Sequence, residues 1–199
     1  NTIIQAAFNQ QAGLFYNNLA VQSNNTLTVT NDQAKAASQG SIVEALSEAY
    51  MLTHNQYYLT VAGRVLQSMF YASGLWDWNN GGLYFAYDLN SHNLEQSYKE
   101  TRGQTHVLTA LYRYNQALLA QDPNTPPAYQ YQEQVLNNLL LFQLYQPIYH
   151  GYVYRVTPTF QIYVSAPGKG IGVEDYFTTE AMGLALDALQ QTELPNLSF

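Results

Sequence analysis

Residues 79–114 read NNGGLYFAYDLNSHNLEQSYKETRGQTHVLTALYRY, and the fold is decided there. Gly81-Gly82 opens a turn, and Leu83 to Tyr87 alternates like a short strand. A polar loop follows, then Lys99, Arg102, Gly103 and Gln104, and then an amphipathic helix over about residues 100–120. A strand-bearing loop that feeds directly into a helix is one unit of a helical-hairpin repeat.

The rest of the chain repeats the rhythm. Apolar spacing predicts a first helix over 3–21, from Ile4, Ala7, Phe8, Leu14, Phe15 and Leu19. A polar, Thr-rich break covers 24–32. A second helix spans 33–53, with Ile42, Ala45, Leu46, Ala49 and Tyr50 on one face. His54-Asn55 turns the chain into a third helix over 57–72, which Gly74 ends. After the helix over 100–120, Asp122 to Pro127 is a breaker and another helix covers 129–145. Strand-like alternation occupies 149–164, turning at Thr157-Pro158-Thr159. A glycine-rich loop at 167–172 leads to a last helix over 173–190. The first helices of successive units begin near Gln33, Glu100 and Val173, a period of about 65 to 75 residues. They carry the similar cores Ala45-Leu46, Ala110-Leu111 and Ala185-Leu186. No low-complexity linker divides the chain, so residues 1–199 read as one domain.

Composition narrows the partners. Hydrophobic residues are 47% of the 199, enough for a packed core. Charged residues are only 11%, and polarity comes instead from Asn, Gln, Ser, Thr and 18 Tyr, side chains suited to sugar or protein contacts. Net charge is −7 and seven unclustered Lys and Arg offer no phosphate-neutralising face, which argues against nucleic acid. No apolar run approaches the length of a bilayer span, so no membrane insertion is expected. Absence of Cys excludes disulfides and thiolate metal sites. His54, His92, His106 and His150 show no metal-ligand spacing, so no metal is expected. The glycines at 168, 170 and 172 fit neither the phosphate-loop nor the dinucleotide pattern, so no cofactor is expected either. Sequons at Asn24 and Asn196 and the low charge suggest an extracellular, secreted chain.

The pattern Gly81-Gly82-Leu83-Tyr84-Phe85-Ala86-Tyr87-Asp88, followed by Lys99, Gly103, Gln104, Ala110 and Leu111, is similar to the N-acylglucosamine 2-epimerase-like group. That group belongs to the (α/α)6 toroids, which include many glycoside hydrolases. The resemblance implies an all-α fold: helical hairpins in a toroid or partial toroid, with short β-hairpins at one end. A full toroid has six hairpins and this chain supplies about three, so it reads as a reduced relative or as part of a larger toroid. The epimerases use paired catalytic histidines on different helices. Here His106 alone lies on a suitable helix.

In such a fold the strand loops and the N-termini of the following helices share one end. The expected carbohydrate-binding set is therefore Trp76, Asp77, Trp78, Tyr84, Tyr87, Lys99, Arg102, Gln104, His106, Tyr176 and Glu180. Extended backbone at Trp76-Asp77-Trp78 would send both indoles to one side as a platform. Glycosidic hydrolysis needs two carboxyl groups flanking the bond. Asp77, Glu100, Glu174, Asp175 and Glu180 are the candidates, and Glu100 with Asp175 is preferred because both start helices after strand loops. Acidic residues at helix starts also simply complement the helix dipole. The leading expectation is a glycoside hydrolase. The alternatives are a non-catalytic extracellular glycan-binding or assembly protein and a sugar 2-epimerase. A homo-oligomer stays open.

Overall fold

In the computed structural model the described residues are 2–164 and 177–192. Helix α1 (Thr2–Ala7) runs into the hairpin β1 (Phe8–Asn9) and β2 (Leu14–Phe15). A second hairpin, β3 (Asn18–Val21) and β4 (Leu27–Asn31), precedes β5 (Gln33–Lys35) and helix α2 (Ala36–Thr53). Helix α3 (Gln56–Gln67) returns alongside and finishes in a π-turn, Ser68–Ala72. Strands β6 (Ala86–Asp88), β7 (Leu94–Glu95) and β8 (Lys99–Glu100) lead into α4 (Thr101–Gln121). Helix α5 (Gln130–Leu139) ends in a second π-turn, Leu140–Leu144. Strands β9 (Tyr145–Gln146), β10 (Gly151–Tyr152) and β11 (Arg155–Val156) precede α6 (Thr179–Thr192).

The tight helix pair α2–α3 follows from its two-residue link. His54 takes a left-handed conformation and its N–H reaches Tyr50 O at 2.7 Å, while the Asn55 side chain caps α3 by accepting from Tyr57 N. Helix α4 packs between α2 and α6, and its contact with α2 is the most extensive between any two helices among the described residues. The strands join successive units: β5 pairs antiparallel with β6, and β8 with β11 in the register Glu100↔Arg155. Helices α2, α4 and α6, called the inner helices below, thus stand side by side, α2 and α4 each starting directly from a strand, with α3 packed on α2 and α5 on α4.

The α2–α4 approach depends on Gly40. A Cβ there would lie 2.7 Å from the carbonyl carbon of His106 and 2.8 Å from Val107 N, which is backbone that cannot rotate away. Gly40→Ala is expected to cost about 1–3 kcal/mol of stability, read from urea unfolding midpoints. An unchanged midpoint would mean the helices cross more loosely than described.

A repeated device ties α2 and α4 each to a turn of chain that precedes it. Gln39 is fully buried; its amide accepts from Phe15 N and donates to Phe15 O, both at 2.9 Å. Gln104, 65 residues on, does the same for Leu83 N and O, both at 2.8 Å. Each amide satisfies a backbone N–H and C=O that burial would otherwise leave unpaired.

Three expectations change. The helix over 3–21 stops at Ala7: Asn9 Oδ1 accepts from Gln11 N and Ala12 N, Gly13 takes φ +69°, and the chain turns into a hairpin. Phe8 and Phe15, seven apart and so compatible with helical spacing, are instead cross-strand partners with rings 4.9 Å apart. The Thr-rich break is a β-hairpin. The all-α class becomes helical hairpins with many small strands, in five short sheets among the described residues. No described helix is long and apolar enough to cross a membrane.

Candidate functional site on the inner helices

Polar residues recur on one face of each inner helix. Helix α2 carries Ser41, Glu44 and Glu48, α4 carries Arg102, His106 and Arg113, and α6 carries Glu180 and Asp187. Helical spacing stacks each set on one stripe. The stripes meet. Ser41 Oγ lies 3.3 Å from His106 Nδ1, Arg113 Nε 3.7 Å from Glu48, and Arg102 Nη1 3.4 Å from Glu180.

His106 sits at the centre of this face. Burial pushes its pKa below the usual imidazole value, the Arg102 guanidinium pushes the same way, and Glu180 and Asp187 only partly oppose them. The neutral, basic form is therefore favoured near neutral pH. Glu44 shifts the other way: burial raises its carboxyl pKa and Glu48 adds to the rise.

Glu100, the last residue of β8, is 3% exposed and engaged by two guanidinium groups. Arg155 Nε and Nη2 both lie 3.0 Å from Oε1, and Arg102 Nη2 lies 3.3 Å from Oε2. Arg155 also stacks over the Tyr98 and Tyr154 rings, each centroid 4.8 Å away. Arginine thus links β11, β8, α4 and α6 around one carboxylate.

The structure brings together Glu100, Arg102, His106 and Glu180 from the expected set. It distributes the others. Asp77 and Lys99 form a buried ion pair at 2.8 Å, and Lys99 Nζ also donates to Gly81 O at 2.6 Å and Pro158 O at 3.0 Å. Tyr84 lies beside this pair, its ring 5.3 Å from Lys99 Nζ. Gln104 spends its amide on Leu83. Trp76 is buried edge-on to Phe70, whereas Trp78 is 56% exposed, so the two indoles do not share one platform. The Asp77 side chain accepts from Asn79 N and Asn80 N, and this turn breaks the assumed alternation. The Tyr87 hydroxyl pairs with His92 Nδ1 at 2.9 Å, in a polar cleft with Asn9 and Gln11. Asn24 is exposed at the β3–β4 turn. Glu174, Asp175, Tyr176 and Asn196 lie outside the described residues. The sequence reading missed Ser41, Glu44, Glu48, Arg113, Arg155 and Asp187. For all of them but Arg155, which lies on β11, the signal was present as matching polar stripes on the first helix of each unit. Among the described residues no cluster of His, Asp and Glu is arranged to hold a metal ion.

No protein-family model matches the chain, and no curated protein does. Solved structures do. Cellobiose 2-epimerase from Bacillus thermoamylovorans B4167 superposes with a TM-score of 0.70 at 18% identity, over 93% of this chain and 45% of the epimerase. Cellobiose 2-epimerase from Spirochaeta thermophila DSM 6192 gives 0.71 at 16% identity, over 96% and 45%. A sugar epimerase from a ruminal bacterium gives 0.72 at 17% identity, over 93% and 44%. The chain therefore spans less than half the length of each of these structures. At such identities the likeness establishes the fold alone: the described residues are folded like part of these sugar epimerases, the resemblance that the pattern from Gly81 to Leu111 implied.

Proposed function

We propose that this chain belongs to a carbohydrate-processing enzyme of the epimerase or isomerase type, in which His106 moves a proton at the carbon beside a sugar carbonyl. The carrying observation is the His106 imidazole itself: partly buried on the inner-helix face, held beside Ser41, and biased towards its neutral form. The fold shared with cellobiose 2-epimerases and with a D-mannose isomerase supports the same chemistry, the latter at a TM-score of 0.65.

The hydrolase expectation gives way to this reading. Hydrolysis needs a carboxyl free to donate or attack. Glu100, half of the preferred pair, is buried and occupied by Arg102 and Arg155. Carbon-acid chemistry asks for different parts: a neutral base, and a cation near the oxygen that gains charge as the enediolate forms. Arg102 supplies the cation, and its Nε has no hydrogen-bond partner among the described residues. A single base can return the proton to the neighbouring carbon on the same face, which is aldose–ketose isomerisation. Inversion at C2 needs a second donor on the opposite face.

The test is proton exchange. The purified protein in D2O, given D-mannose or cellobiose, is expected to replace the C2 proton with deuterium, followed by NMR. Release of reducing ends from glycosides, with no exchange at C2 of either sugar, would overturn the proposal.

A further inference from the structure

Two arginines meet one buried carboxylate where β8 runs into α4, and they are not equivalent. The Glu100 side chain is 2% exposed and makes no cap bond to α4. Its first counter-charge is Arg155, which stands directly across the β8–β11 ladder. Nε and Nη2 of Arg155 both lie 3.0 Å from Glu100 Oε1. The same guanidinium lies 4.8 Å from the ring centroids of Tyr98 and Tyr154. Tyr98 is packed in turn on Phe85 and Tyr163, at 4.8 and 5.1 Å. Strand register and ring packing thus fix this arginine in advance.

Arg102 is held less firmly. Its Nη2 lies 3.3 Å from Glu100 Oε2, and its Nη1 lies 3.4 Å from Glu180, whose side chain is 50% exposed. Its Nε is shut off from water and has no hydrogen-bond partner among the described residues. Long contacts and an unused nitrogen describe a guanidinium whose charge is only partly neutralised. A carboxylate taken out of water demands a close counter-charge. Arg155 meets that demand, so Arg102 need not close on Glu100. Without Arg155, Arg102 is the remaining cation bonded to Glu100 among the described residues, and the buried carboxylate would draw it in.

We infer that Arg155 is a positioning residue: by neutralising Glu100 across the ladder, it leaves the charge of Arg102 on the inner face beside His106. The inference rests on the reaction proposed above for its effect on rate, and stands apart from it for its effect on the imidazole. His106 is faced by Ser41 from α2, with Glu44 one turn further along, by Arg102 from its own helix, and by Glu180 and Asp187 from α6. Arg102 is the cation that holds its pKa down, with burial acting the same way. Arg155 is not one of these neighbours, so its influence runs through Glu100 and Arg102.

Titration of the four histidines tests this without a substrate, by NMR of the imidazole C–H groups, with His106 assigned from its loss in His106→Asn. In Arg155→Gln the His106 pKa is expected to move up by about one pH unit, as Arg102 closes on Glu100. In Glu100→Gln, which releases Arg102, it is expected to move down. Adding Arg155→Gln to Glu100→Gln should change it no further, because the link is already cut. This double variant strands no buried charge, so the comparison with Glu100→Gln holds even where Arg155→Gln alone folds poorly. A His106 titration indifferent to Arg155→Gln or to Glu100→Gln would overturn the inference. So would an Arg155→Gln shift of the same size with and without the Glu100 carboxylate, which would make it a direct effect of charge. C2 proton exchange is expected to fall about tenfold in Arg155→Gln. Absence of exchange in the unaltered protein would remove the proposed reaction, and the titrations would still decide the link.

Discussion

Asp77→Asn is expected to lower the unfolding free energy by about 3–5 kcal/mol, the cost of stranding a buried charge. Lys99 is fully buried, and its ammonium has one counter-charge within reach among the described residues, the Asp77 carboxylate 2.8 Å away. An asparagine amide there would turn either a donor against a donor or its oxygen away from Asn79 N and Asn80 N. What remains for the ammonium is Gly81 O, Pro158 O and the faces of Phe160 and Tyr84 at 4.5 and 5.3 Å. Adding Lys99→Met should recover much of the loss, since an apolar replacement of both partners removes the stranded charge. The pH dependence has a definite sign. Burial alone would raise the Asp77 carboxyl, but hydrogen bonds from Lys99 and Asn80 hold it at about 2, below its ordinary 3.8. A depressed carboxyl contributes stability that is complete above the unfolded value and is lost as pH falls through the folded one. The gap between Asp77→Asn and the unaltered protein should therefore be constant near neutrality and narrow between about pH 4 and pH 2. A gap under about 1 kcal/mol at neutral pH, measured by urea unfolding, would show that the pair contributes no more than an exposed one.

The same ion pair shows why some of this molecule was legible in its sequence and some was not. Helices α2 to α5 announced themselves by apolar periodicity bounded by local signals: His54-Asn55, Gly74 and the run from Asp122 to Pro127. Period alone failed in the first thirty-five residues, where a seven-residue spacing serves a helix face and the Phe8↔Phe15 hairpin equally. Functional residues were harder because burial decides role. Asp77 and Lys99 precede α4 and Gln104 lies in its first turn, polar residues where a site was expected, and each is enclosed and committed to backbone or to one another. Sequence carries no direct record of that enclosure. It did hold two unused signals. One is the repeat of Gln39 and Gln104 at the fourth position of successive inner helices. The other is the polar stripe of Ser41, Glu44 and Glu48, set against that of Arg102, His106 and Arg113. Reading equivalent positions across the repeat separates them: the glutamines anchor the preceding turns of chain, and the stripes face one another.

His106→Asn is expected to lower the rate of C2 proton exchange by about 10²–10⁴-fold while leaving stability and KM nearly unchanged. Asparagine can keep a hydrogen bond to Ser41 and has no base of useful strength, so folding and function separate cleanly in this variant. The pH profile gives an independent reading. A base must be neutral to act, so kcat/KM should rise with pH through the imidazole pKa and then level. Burial and the Arg102 charge put that value below the ordinary 6.5, so the acid limb should lie below 6.5 and activity should persist into mildly acidic solution. Arg102→Gln removes one of the two depressing influences, and the limb should move upward. The same variant removes the cation next to the developing enediolate, so the plateau should fall as well. A limb that moves without loss of plateau would assign Arg102 to tuning His106 alone. Exchange that proceeds undiminished in His106→Asn would remove His106 from the reaction. Among the described residues the inner face would then offer carboxylates already paired with Arg102 or Arg113, together with Glu44 and Asp187, and Glu44 would be the group to test next, because burial holds its carboxyl above the usual value.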